Sequence, residues 1–337
     1  MTRKHVFLVV ILVAFIRTAS IATAQTITNG NDLKKAVTFI FRADAQGDLL
    51  RDPKTKSPTP YGTGFFVGVK NDTGKGLYGY LVTAKHVLKD EKGTDFAKVY
   101  LRLDTWNGDA EFVPLDLIQN SQRVVYMHSD PTVDIAVVPF LPNPTVFDFK
   151  ILPDEILSTE ETFRKYNIAE GSDVFFVGLF ATFYGEHQNV PIFRFGRMAM
   201  FPDEPVPWIN YQGQSPQQAQ LYLIEIQSYG GNSGSPVFFS LGVTEQRVPP
   251  GNILLGGSAS PLLKLAGIMR GRFNDVEPLT LIQSPTAAVL VTTPNIGIAA
   301  VTPSYFLHDI LFSDALKKWR AAHPIVELPE KSDHTRQ

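Results

Sequence analysis

The feature that most constrains this chain is its punctuation. Short apolar runs rich in Val, Ile, Phe and Tyr alternate with clusters of Gly, Pro, Asn and Asp, and helical periodicity is scarce. Runs of this kind read as strands, because a helix needs an apolar stripe repeating every 3.6 residues. One set is expected at Ala36 to Phe41, Gly64 to Val69, Leu77 to Thr83, Val99 to Leu103 and Ile135 to Phe140, with Asn71 to Gly76 as a connecting turn. A second set is expected at Val174 to Phe180, Ile192 to Phe195, Leu221 to Ile226, Pro236 to Phe239, Leu265 to Met269 and Ile296 to Val301. The clear helix begins at Ser304, with Leu307, Ile310, Leu311 and Ala315 on one face and Lys317, Lys318 and Arg320 in the last turn. Many short strands and few helices imply an all-β molecule, closed or sandwiched. Leu141 to Gly171, with Pro142, Pro144, Pro153 and the acidic pair Glu160-Glu161, separates the two sets and reads as an interdomain connection. The stretches 241–262 and 272–295 are long for hairpin loops and are candidates for substrate contact or lids.

The chain has 337 residues and no cysteine. A thiol nucleophile, a disulfide scaffold, a thiolate zinc site and an iron–sulfur cluster are therefore excluded. Residues 1–24 read as an export signal: a basic Thr2-Arg3-Lys4-His5, an apolar run from Val6 to Ile16, and the small-x-small Ala22-Thr23-Ala24. The run is short for a bilayer and Arg17 interrupts it, so no stable membrane span is expected once the signal is removed. Its loss removes three cations and takes the formal charge from −2 to −5. An acidic surface gives no support to nucleic-acid binding. Export without cysteine suits a bacterial periplasmic or extracellular protein whose hydrophobic cores suffice to hold it.

Chemistry concentrates in Tyr229-Gly230-Gly231-Asn232-Ser233-Gly234-Ser235-Pro236, a serine among glycines between two apolar runs. Such a loop can turn sharply and aim backbone N–H groups at one point, which a serine nucleophile requires for its oxyanion. A plain glycine-rich hairpin would read the same way. A serine hydroxyl also needs a base. Outside the signal and the polar tail the histidines are His86, His128, His187 and His308; of these, His86 follows the strand ending at Thr83 and falls on a barrel rim. Asp134 opens Ile135-Ala136-Val137-Val138 and is carried towards the interior, where an ionised partner would account for a buried carboxylate. Singly, His86 also suits a structural histidine and Asp134 a turn cap.

Together these segments resemble the chymotrypsin-like serine peptidases, whose order is also histidine, aspartate, serine. Gly62 to Val67 is similar to the strand before the histidine hairpin, Thr83 to Val87 to the histidine box, Asp134 to Val138 to the aspartate box and Gly231 to Pro236 to the nucleophile box. Gly267-Ile268-Met269 resembles the strand lining the specificity pocket. Val87 stands where many animal members have cysteine. Ser235 stands where many members have glycine, a variant similar to bacterial glutamyl endopeptidases. The early segments also resemble the periplasmic Deg-type proteases, without room after Arg320 for their peptide-binding module.

The resemblance implies two six-stranded antiparallel β-barrels, over 33–145 and 165–320 with the C-terminal helix included, and an active site between them. It implies a serine endopeptidase acting on protein or peptide substrates through an acyl-enzyme, with no cofactor or metal. Ser233 would be the nucleophile, His86 the base and Asp134 its orienter, with the N–H groups of Gly231 and Ser233 as the oxyanion hole. Gln227, Ser228 and Met269 would line the primary pocket, with Arg270 as a possible partner for an acidic substrate residue. Asn232 replaces the aspartate that pairs with a released N-terminus in many animal members, so activity without a second cut is expected. The alternative is a catalytically silent binding or scaffold protein on the same fold.

Overall fold

The computed structural model describes residues 30–74, 76–209, 215–243, 261–274 and 295–325. The expected export signal, and most of the stretches 241–262 and 272–295, lie outside them.

The protein is mostly β: among the described residues there are two main strand systems and two separate two-stranded pairings, Ile118–Gln119 with Gln122–Arg123 and Val206–Trp208 with Gln217–Ala219. The first system is an eight-stranded sheet. In spatial order it runs Ala110–Asp116, Lys98–Asp104, Val37–Arg42, Pro60–Lys70, Leu77–Thr83, Ala136–Pro139 and Tyr126–Met127, with Leu152–Pro153 added parallel to Pro60–Lys70. Where a closed six-stranded barrel is expected, the described pairings leave this sheet unclosed. At Ile118 the chain leaves the edge strand and forms a separate two-residue pairing with Gln122–Arg123. Among the described residues Ala110–Asp116 pairs only with Lys98–Asp104, and Tyr126–Met127 only with Ala136–Pro139. The strand Ala110–Asp116 has no counterpart in the sequence reading; it lies at the sheet edge, where its Pro114 is tolerated.

The second system is a closed six-stranded barrel: Asp173–Gly178, Ile192–Met200, Tyr222–Glu225, Asn295–Pro303, Pro261–Asn274 and Pro236–Val243, the last pairing back on the first. Met198, Ile224, Val237, Ala266, Met269 and Val301 point into it and are buried. Phe175, Val177, Phe238, Leu265 and Ile268 instead join the core of the first sheet, so apolar packing is continuous between the two systems. Arg102 adds a polar clamp. Buried on the first sheet, it donates to the carbonyl oxygens of Tyr184, Glu186 and His187 and to Asn189 Oδ1, all in the loop after Asp173–Gly178.

Between the systems, Glu160–Tyr166 is a helix rather than plain linker. Thr159 caps it through the N–H of Thr162, Glu160 and Glu161 sit at the positive end of its dipole, and Asn167 closes it in the left-handed region (φ 51°). The C-terminal helical segment divides into Ser304–Leu311 and Asp314–Ala322, because Ser313 caps the second piece through the N–H of Leu316. Trp319 packs near Tyr78 and Tyr80, and Arg320 bonds the Tyr80 hydroxyl at 3.0 Å, so the chain end returns to the first sheet.

Candidate active site

The strand Leu77–Thr83 ends at Thr83, and after extended Ala84 the chain makes a single 3-10 turn, Lys85–Leu88, with Val87 and Leu88 in the core. That anchoring leaves the His86 ring at the surface of the sheet end, 24% exposed. Asp134 lies just before Ala136–Pro139, which pairs with Leu77–Thr83. The pairing brings the two residues together: Asp134 Oδ2 is 2.6 Å from His86 Nδ1, and Oδ1 accepts the His86 backbone N–H at 3.0 Å.

Asp134 is 2% exposed. Burial by itself raises a carboxyl pKa; here the His86 ring, the Arg270 guanidinium and the His86 backbone N–H outweigh it and hold Asp134 far below the usual carboxylate range.

The loop Tyr229 to Ser235 is built from its own bonds. Asn232 Oδ1 accepts the Tyr229 N–H at 2.8 Å, Asn232 Nδ2 donates to the Leu179 carbonyl at 2.6 Å, and Ser235 N–H closes on Asn232 O at 3.0 Å. Gly231 and Gly234 take φ of +93° and +86°, which a side chain would strain. A Cβ on Gly234 would also lie 2.1 Å from Thr63 O. Thr63 joins the systems: its hydroxyl donates to Gly231 O, its N–H donates to Ser233 O, and its Oγ1 accepts the Leu179 N–H. Ser233 therefore sits against the strand end that carries His86. Its hydroxyl donates to the Arg270 carbonyl at 3.2 Å rather than to the imidazole. The N–H groups of Gly231 and Ser233 donate to no acceptor among the described residues.

The other histidines are elsewhere: His187 pairs with Asp109, and His128 and His308 lie near Asp309. Gln227 Oε1 accepts the Tyr229 hydroxyl at 3.2 Å, and the Arg194 guanidinium lies 4.8 Å from the Tyr229 ring. Ser228 is buried, and Met269 points into the barrel core. Arg270 departs from the sequence expectation. Its side chain does not open towards a substrate pocket; it is buried with Nε 3.8 Å from Asp134 Oδ2, Nη1 donating to Thr132 O at 2.9 Å and the guanidinium 5.4 Å from the Trp208 ring. The one available signal was a charge ending the apolar run Leu265 to Met269. Nothing in the sequence points to Thr63 or Trp208.

The two β systems thus bring a histidine paired with a buried aspartate and a serine on a glycine-rich loop to one sheet end. Residues 62–243 match the trypsin-like peptidase domain, and the chain belongs to that family. A search of curated proteins found no match. Among solved structures the chain is similar to the active form of the Rv3671c protease from M. tuberculosis, with 18% identity over 85% of this chain and 87% of that one and a TM-score of 0.40. The MamO protease domain from Magnetospirillum magneticum shares 14% identity over 82% of this chain and 96% of its own, with a TM-score of 0.42. Human heparin binding protein shares 10% identity over 90% and 98%, with a TM-score of 0.43.

Proposed function

We propose that the protein is an exported serine endopeptidase that cleaves peptide bonds through an acyl-enzyme on Ser233, with His86 as general base and Asp134 holding the imidazole. The observation that carries this reading is the double contact of a buried, ionised Asp134 with His86, next to a loop whose Gly231 and Ser233 N–H groups donate to no acceptor among the described residues. Asp134 fixes the ring so that Nδ1 carries the proton and Nε2 is basic. Ser233 attacks the substrate carbonyl and passes its proton to His86; the oxyanion is met by the two N–H groups; His86 then protonates the leaving amine. Water repeats the sequence on the ester. In this reading the Ser233 hydroxyl exchanges its bond to the Arg270 carbonyl for one to the imidazole when substrate enters, since hydrogen bonds of this kind tighten in the substrate complex. The basic start, apolar run and Ala22-Thr23-Ala24 support export, to a bacterial periplasm or exterior.

The Ser233–Arg270 hydrogen bond favours one rival, a protein that keeps the fold and binds peptides without turnover. Fluorophosphonate labelling separates the two, because the reagent needs an activated serine and an oxyanion hole. Stoichiometric labelling at Ser233, lost in Ser233→Ala and His86→Ala, selects the peptidase. No labelling of folded protein selects the silent reading. As members of one unit, the two substitutions should each cost on the order of 10⁴ to 10⁶ in turnover, with little further loss together.

A further inference from the structure

An ionised carboxylate that is 2% exposed needs a countercharge even while the neighbouring imidazole is neutral, which is its state in a resting general base. The barrel supplies one. Pro261–Asn274 pairs with Asn295–Pro303 in a register that matches Met269 with Val301 and Gly271 with Ala300, so Arg270 is the extra residue of a bulge. Strand alternation already sets Arg270 on the face opposite Met269, and the bulge adds a local bend and twist to the strand. Met269 points into the barrel, while Arg270 crosses to the first sheet and reaches Asp134 Oδ2 and Thr132 O, beneath Trp208. The same residue accepts the Ser233 hydroxyl through its carbonyl.

On the peptidase reading above, we propose that Arg270 is a positioning residue of the triad, a permanent buried cation on Asp134 that keeps the carboxylate ionised and in place while limiting how strongly it favours the imidazolium. The negative field on the ring is then that of a partly neutralised pair, and the base stays neutral to lower pH than it would beside Asp134 alone. Removing the cation should strengthen the imidazolium and move the acid limb of the activity profile upwards. A unit charge acting over about 7 Å at an effective dielectric constant of roughly 40, between that of a protein surface and that of water, corresponds to a shift of about one pH unit. The other charged groups around the pair are Lys85, whose Nζ donates to Pro131 O, Lys89, and Asp130, which holds the Thr132 N–H and hydroxyl. Burial lowers the Lys85 pKa from its ordinary value against the pull of Asp134; because several charges surround the pair, the ring itself is the group to observe.

The test is an NMR titration of the His86 ring in full-length wild type, Arg270→Lys, Arg270→Gln and Arg270→Met, with kcat/KM measured against pH in parallel. The expected result is a ring midpoint raised by about one unit in the Gln and Met variants, an acid limb raised with it, and a Lys variant close to wild type. Arg270→Met fills similar space and keeps the measurement possible if the Gln variant does not fold. Unchanged midpoints with activity lowered equally at every pH would overturn the inference in favour of simple packing. If the midpoint moves but wild type neither labels nor turns over, Arg270 still acts on the pair and it is the peptidase reading that fails.

Discussion

Asp134 meets His86 twice, through Oδ2 to the ring Nδ1 and through Oδ1 to the backbone N–H. The second bond matters because it ties the carboxylate to the frame that carries the ring, leaving only one orientation in which both oxygens are satisfied. Arg270, from the other strand system, completes the environment.

Asp134→Asn should therefore lower kcat/KM by about 10⁴, because an amide can accept only one of the two bonds and presents its NH2 to the other group, favouring the wrong tautomer. The substitution should also change acid stability. Asp134 is held below its ordinary 3.8 in the folded state, so it contributes stability that is present above that value and lost as the pH falls through the folded one. Urea unfolding from pH 7 down to pH 2 should show wild type losing this contribution at the acid end. Asp134→Asn should lack it throughout, and a variant as stable as wild type at neutral pH would contradict the assignment.

Gly178 and Ser235 make a steric pair. A Cβ on Gly178 would stand 1.9 Å from Ser235 Oγ and 3.1 Å from its Cβ, in a fully buried place. Gly178→Ala should cost roughly 1–3 kcal/mol by overpacking. Ser235→Gly removes both clashing atoms, so the double variant should recover most of the loss. Additive losses in a thermal-melt cycle would show that the two do not compete for space.

Asn232 spans the nucleophile loop by accepting from Tyr229 and donating to Leu179. Asn232→Asp would set a buried carboxylate against the Leu179 carbonyl, at a cost of roughly 3 kcal/mol. Protonation restores a donor, so the deficit in melting temperature and kcat should shrink as the pH is lowered. A deficit that grows in acid would refute this account.

Cleavage-site profiling of a peptide library should show no dominant cutting after Lys or Arg. Gln227, six residues before Ser233, is a neutral amide hydrogen-bonded to Tyr229, and the nearby Arg194 would repel a basic side chain. Strong basic preference would require a carboxylate that these positions do not provide.

Local pattern alone determined the strands and the candidate residues. The strand Leu77–Thr83 has the bounds that its apolar run implies, and most of the other predicted runs lie within one residue or so of a strand end or inside a longer strand. The glycine-set Ser233, the strand-end His86 and Asp134 at the head of an apolar run are likewise visible because backbone freedom, exposure and burial are written in neighbouring residues. The contacts that assemble them are not, since they join positions far apart in the chain. Only tertiary structure decided that Ala110–Asp116, with its Pro114, is an edge strand of the first sheet. The helix Glu160–Tyr166 has a local signal, but its acids read equally well as a polar linker until Thr159 and Asn167 are seen to cap it. Arg270 is the clearest case: its residue type suggests a substrate pocket, and strand alternation sets it opposite Met269, but only the packing of the barrel against the first sheet puts it on Asp134. That contact joins positions far apart in the chain, so no reading of either segment by itself could have shown it.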